Sequence, residues 1–475
     1  MKSTILLIYL CFQFSIFSQS NSYNPDSTFA LTALQQDFEI LFNSVKSVHP
    51  ALYDFTSQKQ FSKLYVEYQS TIKDGLTHDE FHILIRQFIQ HVKCGHTAAL
   101  PSLEWYAYQR ETSKVIPLEV YLMNENLYVK RSSVSDSILP VGSKILAIND
   151  RSPQKIIKDM REITPRDGLS MSFVNNKVEK LFRTYHLFLY GRKDNYLVTY
   201  INADGDKTLI NLKRGDQLVK VERVTEKTDH VFELETSGAT FQITSDNLTK
   251  YAYLDLNNFQ KKGFKKFYKS VFEAIELNNI QNLILDLRSN GGGYFPNGNH
   301  LLEYLLDQDF DVNFSRSRKK IKSEFLYMDF GSKATRVLFN TMPYTKKTDQ
   351  SVEHTIKYKP VKKHHFNGQV YVLINGGSFS MSGYVAAKLK HFKKAIFIGE
   401  ETGGGEKGSN AILFYTLSLP NTKIRVKLPH YFLNHNVKTS EKGRGIMPDY
   451  PIVYSLKDRI EQQDLAIQKV LDLMK

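Results

Sequence analysis

Three serines at alternate positions, Ser378, Ser380 and Ser382, follow the apolar run Tyr371-Val372-Leu373-Ile374 and the turn Asn375-Gly376-Gly377. The pattern Tyr384-Val385-Ala386-Ala387-Lys388-Leu389 then starts a helix. A strand that turns sharply into a helix sets one side chain at a helix N-terminus, where uncovered amides and the dipole favour developing negative charge. A serine there can act as a nucleophile if a base removes its proton and backbone amides hold the oxyanion. Glycine-rich turns leave amides uncovered, and Gly291-Gly292-Gly293 supplies such a turn after a second apolar run, Leu283 to Leu287. If Ser380 attacks, the amide of Met381 is the second donor. The competing reading is a Gly/Ser turn with a serine N-cap.

These segments need a scaffold, and the spacing around them predicts one. Tyr251–Leu256, Asn282–Arg288, 369–376 and Lys394–Gly399 read as strands separated by helical stripes, a βαβ alternation that implies a parallel sheet. Ala411–Leu419 and Lys423–Leu428 read as a hairpin around Pro420-Asn421-Thr422, and Leu456–Met474 as a closing amphipathic helix. Asp309 to Phe366 is basic and reads as an irregular surface excursion.

Upstream, residues 20–110 form a helical segment. Its stripes are Leu34/Phe38/Leu41/Phe42/Val45, Phe61/Leu64/Tyr65/Tyr68/Ile72 and Phe81/Leu84/Ile85/Phe88/Ile89/Val92, the last opened by a Thr77/Glu80 capping box. Gly95 is expected to stop that helix and present His96 on a turn. Cys94 is read as a small packing residue, and the pair His78/His82 lacks a third ligand, so no metal is expected. Residues 111–215 change to short strands: Leu118–Leu122, Leu127–Val129 and Lys144–Asp150. The segment Leu139-Pro-Val-Gly-Ser-Lys-Ile-Leu-Ala-Ile-Asn-Asp150 resembles part of a PDZ-like domain, with Thr164–Tyr190 as an insertion. Such domains take peptide tails onto a sheet edge.

At 475 residues the chain exceeds a single simple core. Its 41% hydrophobic and 24% charged content are those of an ordinary globular protein. Met1-Lys2 followed by the apolar run Ile5–Phe17 and Ser18-Gln19-Ser20 reads as a signal peptide over 1–19, implying export to a periplasm or outside the cell. Of the two cysteines only Cys94 would outlast its removal, so no intrachain disulfide is expected. No later run is long and apolar enough to cross a bilayer. The net charge of +14 is scattered without a nucleic-acid module, which argues against nucleic acid as a partner.

Four motifs occur in order: Leu-Asp-Leu-Arg-Ser-Asn-Gly-Gly-Gly (285–293), Asn-Gly-Gly-Ser-Phe-Ser-Met-Ser-Gly (375–383), Gly-Glu-Glu-Thr-Gly-Gly-Gly (399–405) and Gly-Ile-Met-Pro-Asp (445–449). Together they resemble the C-terminal-processing and tricorn-type serine peptidases. The resemblance implies an α/β multidomain fold: helical segment, PDZ-like β domain, and a crotonase/ClpP-like ββα peptidase core over 216–475. It makes Ser380 the nucleophile, with oxyanion amides at Gly292 and Met381 and no cofactor. The processing branch uses a lysine base where this chain has Gly405, and Lys407 stands two residues late. The tricorn-type branch takes a histidine in a Gly-His-Thr setting, which His96 matches, and a glutamate oriented on it, for which Glu441 is the nearest candidate. Asp449 is read as fixing a turn. The activity implied is hydrolysis of protein or peptide substrates. The rivals are a non-catalytic peptide- or lipid-binding protein on the same core and a crotonase-type acyl-thioester enzyme.

Overall fold

The computed structural model describes residues 23–112, 115–215, 217–219, 230–245, 250–259, 263–318, 321, 323–438 and 441–475. The expected signal peptide lies outside them. Among the described residues no helix is long and apolar enough to cross a membrane.

The N-terminal stripes form helices Leu31–Val48, Gln58–Thr71 and His78–Ile89. Capping boxes start the last two, at Ser57/Gln60 and Thr77/Glu80. Their buried faces, with Phe38, Phe61, Phe81 and Phe88 fully enclosed, join one continuous apolar core with the C-terminal half. A buried carboxylate fixes the join. Asp37 on the first helix accepts from the Asn421 and Thr422 amides at 3.0 and 2.8 Å and from the Thr422 hydroxyl at 2.7 Å. The turn at the tip of the long hairpin is thereby tied to the helical segment.

Strands Leu118–Met123, Asn126–Ser132, Lys144–Ile148, Asn195–Ile201 and Lys207–Lys213 form a five-stranded antiparallel sheet in chain order, with a core of its own. The stretch expected as an insertion forms helices Met171–Lys180 and Phe182–Tyr190, whose Val174, Val178, Phe182 and Tyr185 fill that core beside helix Pro153–Glu162.

A larger sheet has seven strands in the order Tyr450–Pro451, Ala395–Gly399, Gln369–Ile374, Asn282–Asp286, Lys250–Leu256, Ala239–Ser245 and His230–Thr236. From Lys250–Leu256 to Tyr450–Pro451 the pairing is parallel, and the other two strands are antiparallel. Strand Gln369–Ile374 is apolar on both faces because both are covered. Val370, Val372 and Ile374 enter the large core, while Tyr371 and Leu373 pack under helix Leu465–Met474. Arg288 ties that helix to the sheet, bridging Asp286 at 2.6 Å and the helix N-cap Asp464 at 2.8 Å. The closing helix is two pieces, Leu456–Ile460 and Leu465–Met474, parted where Gln462 takes φ 56°.

A second sheet holds Leu326–Tyr327, Gly408–Ser418, Arg425–Asn434, Phe310–Ser317, Ser351–Tyr358 and Thr345–Lys347. The basic stretch from Asp309 to Phe366 is therefore ordered in large part, with helix Phe330–Asn340 between its strands. Alternating Phe310, Val312 and Phe314 are buried while their neighbours carry the polar face, a period of two masked by the surrounding lysines. The hairpin Gly408–Ser418/Arg425–Asn434 is longer than expected. Its second strand also accepts the short strand Ala98–Leu100 antiparallel, pairing Val426 with Ala99 and Lys427 with Ala98. That pairing carries the residues just before Ala98 to the sheet end where the parallel strands stop.

Candidate active site

Ser380 sits between strand Gln369–Ile374 and helix Met381–His391 with φ 59° and ψ −118°. A non-glycine residue in this region costs on the order of 1–3 kcal/mol, so neighbours must impose it. They do so by stitching the two loops at the strand ends together. The Asn375 side-chain oxygen accepts from the amides of Gly377 and Ser289 at 2.9 and 2.8 Å. Ser378 Oγ donates to the Leu287 carbonyl at 2.7 Å, and the Phe379 amide donates to the Asn290 carbonyl at 3.0 Å. Ser378 is thus a fully buried strut, and Ser382, on the first turn of the helix, is equally buried.

Glycines let the loops close. Gly292 has φ +98°, and a Cβ there would stand 2.7 Å from Ser380 Cβ and 2.9 Å from the Met381 nitrogen. The backbone of Gly292 therefore lies against the serine and the amide that follows it. As the first helical residue, Met381 has no acceptor for its N–H within the helix. The Gly292 N–H is engaged in this state, donating to Asn290 Oδ1 at 2.9 Å, while Asn290 Nδ2 donates to the Leu256 carbonyl.

His96 arrives from the other end of the chain. Its Nε2 is 3.0 Å from Ser380 Oγ, across 284 residues of sequence. The turn that presents it differs from expectation. Helix His78–Ile89 passes into a 3-10 turn over Gln90–Val92, and Lys93, at φ 53°, is the left-handed residue that ends it. Gly95 serves proximity instead, since a Cβ there would lie 2.7 Å from the Phe379 ring. That ring packs on His96 at a centroid distance of 4.5 Å and on Phe173 at 4.4 Å. Burial lowers the His96 pKa to about 3, with the positive charges of Lys427 and Lys177 adding to it. The resting imidazole is therefore neutral and able to accept the serine proton at Nε2 when Nδ1 carries the ring proton.

At Nδ1 the neighbour is Ser409 Oγ, at a long 3.4 Å. Glu441 is directed elsewhere: its side chain is 63% exposed and lies 3.8 Å from Arg444. Arg444, three residues on, is also clamped by Glu401 at 2.8 Å, and this cationic neighbour holds the Glu441 carboxylate at the surface. Lys407 is exposed and lines a small cleft with Lys93, Asp167, Lys442 and Arg444. Cys94 is a buried thiol pushed up to about 12 by burial, as suits a packing residue. His78 and His82 hold the strand after His96, accepting from the Ser102 amide and meeting the Ala99 carbonyl. Asp449 accepts from the Phe397 amide at 2.8 Å, bracing the neighbouring strand.

Two residues near the site escaped the sequence reading. Ser409 opens a hairpin strand with no distinguishing spacing. Asp167 stands in the stretch read as an insertion, and its Oδ1 accepts from the Gly95 amide at 2.7 Å.

The profile of peptidase family S41 matches residues 250–452. The chain is 26% identical over 210 residues to carboxyl-terminal-processing peptidase 2, chloroplastic, of Arabidopsis thaliana, covering 44% of this chain and 33% of that one. It is 24% identical over 238 residues to the carboxyl-terminal-processing protease of Picosynechococcus sp., covering 49% and 47%. The chain thus spans a third to about half the length of these curated relatives. In fold it is similar to mature CPAF, with TM-score 0.67 and 14% identity over 93% of this chain and 96% of that one. A putative peptidase from Parabacteroides merdae gives TM-score 0.51 at 14% identity over 93% and 96%. Residues 250–452 thus match the profile of peptidase family S41, and the curated relatives that the chain resembles are carboxyl-terminal-processing peptidases.

Proposed function

We propose that this protein is a serine peptidase that hydrolyses peptide bonds through an acyl-enzyme on Ser380. The observation that carries the reading is the 3.0 Å separation of His96 Nε2 and Ser380 Oγ, at a strained strand-to-helix turn. His96 accepts the hydroxyl proton as Oγ bonds to the scissile carbonyl carbon. The Met381 amide, at the positive end of its helix, stabilises the oxyanion. Gly292 joins it by turning its N–H from Asn290 Oδ1 to the incoming oxygen, a hydrogen-bond exchange within a loop already in contact with Ser380. The proton on His96 then passes to the leaving amine, and water, deprotonated in turn by His96, releases the acyl group.

The finer architecture follows the same reading. The five-stranded unit at 115–213 serves as a PDZ-like peptide-binding module, and the parallel sheet with its stacked helices as a crotonase/ClpP-like core. Export by a signal peptide over 1–19 places the substrate, a protein or peptide, outside the cytosol. In place of Glu441, the resting ring meets Ser409.

One observation favours a binding protein instead: the engaged Gly292 amide leaves a single uncovered donor beside Ser380. Labelling by a serine-directed fluorophosphonate, together with casein digestion, separates the two. Labelling that disappears in Ser380→Ala is expected. A wild-type protein that folds but neither labels nor digests casein rejects the hydrolase reading.

A further inference from the structure

A base with so low a resting proton affinity needs a negative charge opposite it once it takes the serine proton. The described hydrogen bonds at its ring are to two serine hydroxyls, both neutral. A carboxylate is nevertheless close. Asp167, Cys94 and His96 each place a polar atom so that all three lie within 4.8 Å of one another. Asp167 is buried; Oδ1 accepts the Gly95 amide, and Oδ2 is enclosed with no hydrogen-bond partner among the described residues.

The segment that carries it is pinned from both sides. The Gly168 amide donates to the Lys93 carbonyl at 3.0 Å and the Leu169 amide to the Gly443 carbonyl at 2.7 Å. Gly168, at φ +56°, has no room for a Cβ, which would stand 2.6 Å from the Gly443 backbone. One strap from the antiparallel unit thus grips the turn on which His96 stands. We propose that Asp167 is the positioning carboxylate of the Ser380–His96 pair, its charge facing the imidazolium that forms when His96 takes the serine proton. This rests on the serine-hydrolase reading above. Asp167 neither gives nor takes a proton in the step; the proton moves from Ser380 Oγ to Nε2 and on to the leaving amine.

The same three groups could in principle share a cation. The cleft that leads to Asp167 argues otherwise, because Lys93, Lys407, Lys442 and Arg444 line it with only Asp54 and Asp167 opposing them. Cationic walls of this kind repel a metal ion. Around the pair, the titratable and charged groups among the described residues include His91, Lys93 and Cys94 on the base turn, Arg166 beside Asp167, His49, Lys177 and Lys427 toward the ring, and Asp54 with Lys407, Lys442 and Arg444 along the cleft. Burial raises the Asp167 pKa to about 7, opposed by the amides of Gly95 and Gly405. The acid limb of Ser380 reactivity should then follow the ionisation of Asp167.

The test is the rate of fluorophosphonate labelling of full-length protein from pH 5.5 to 8.5, for wild type, Asp167→Asn and Asp167→Glu. Asparagine keeps an acceptor for Gly95 and removes the charge. We expect wild-type labelling to rise through about pH 7, Asp167→Asn to label about 100-fold or more slowly without that rise, and Asp167→Glu to recover at least about tenfold. A folded Asp167→Asn that labels within about twofold of wild type with the same profile overturns the inference while leaving Ser380 as nucleophile. Should neither variant fold, a wild-type rate flat across this range overturns it equally. Wild type that does not label at all rejects the hydrolase reading itself, and the inference with it.

Discussion

The two halves of the candidate site are built in opposite ways. The Ser380 loop is local: Asn375, Ser378, Asn290, Gly292 and Gly377 hold Ser380 in a strained conformation through contacts between adjacent strand ends. The base turn is borrowed. His96 stands between a helical segment and a short strand laid on a hairpin more than 300 residues later, and a strap from a third unit grips it. A rigid loop can be specified by one stretch of sequence. A base delivered across three units depends on all of them.

Mutations should expose this difference. Ser380→Ala should lower kcat by about 10⁴-fold or more and leave the melting temperature nearly unchanged, since it removes chemistry and not packing. Retained casein digestion by the folded variant would remove Ser380 from the mechanism. His96→Gln should cost a similar factor in kcat, and normal turnover would send the search for a base back to Lys407. Gly292→Ala should act on the local half. At φ +98° with Ser380 Cβ 2.7 Å away, the new methyl must displace the nucleophile, at a cost on the order of 1–3 kcal/mol in denaturant unfolding and about 100-fold in kcat. A variant with wild-type kcat would show that the loops are less tightly coupled than their spacing implies. Glu441→Gln is the smallest change. With its carboxylate exposed beside Arg444, turnover should stay within about threefold of wild type; a loss of 100-fold would return Glu441 to the catalytic group.

Acidity should loosen the borrowed half. His49, His96, His430 and His435 are all held neutral by burial, with pKa values lowered to about 3. The unfolded chain binds more protons than the folded one between about pH 6.5 and these values, so stability falls as pH drops through that window. Asp167, raised to about 7, and Asp255, raised to about 6, contribute in the opposite sense, lending stability at low pH that is lost toward neutrality, while His186 and His354, lowered to about 4, add to the histidine side. Chemical denaturation at pH 7.5 and 5 should show the lower midpoint at pH 5, and an unchanged or higher one would contradict the burial of these rings.

The local half was far more legible than the borrowed one. Strand, Gly-Gly turn, alternate serines and helix lie within about 20 residues, and periodicity and turn chemistry declare each piece. His96 could be picked out through its Gly-His-Thr setting, though nothing in its spacing revealed that it meets Ser380. Glu441 and Asp167 show the limit. Proximity along the chain to a motif favoured the glutamate, while the carboxylate brought near the ring by the fold sits in a stretch with no signature. Gly95 was misassigned for a related reason: a glycine after a helix suggests a stop, and only the packed Phe379 ring reveals that space was the requirement. In the second sheet, lysine-rich composition outweighed a clear alternation at Phe310, Val312 and Phe314.

The pairing of strand Ala98–Leu100 with Arg425–Lys427 has a consequence for the life of the molecule before it is finished. Residues that would cut peptide bonds are kept apart until nearly the last tenth of the polypeptide has emerged and closed over the first quarter. A chain that stops short of Arg425 already holds His96 and Ser380 but lacks the strand that brings them to one sheet end.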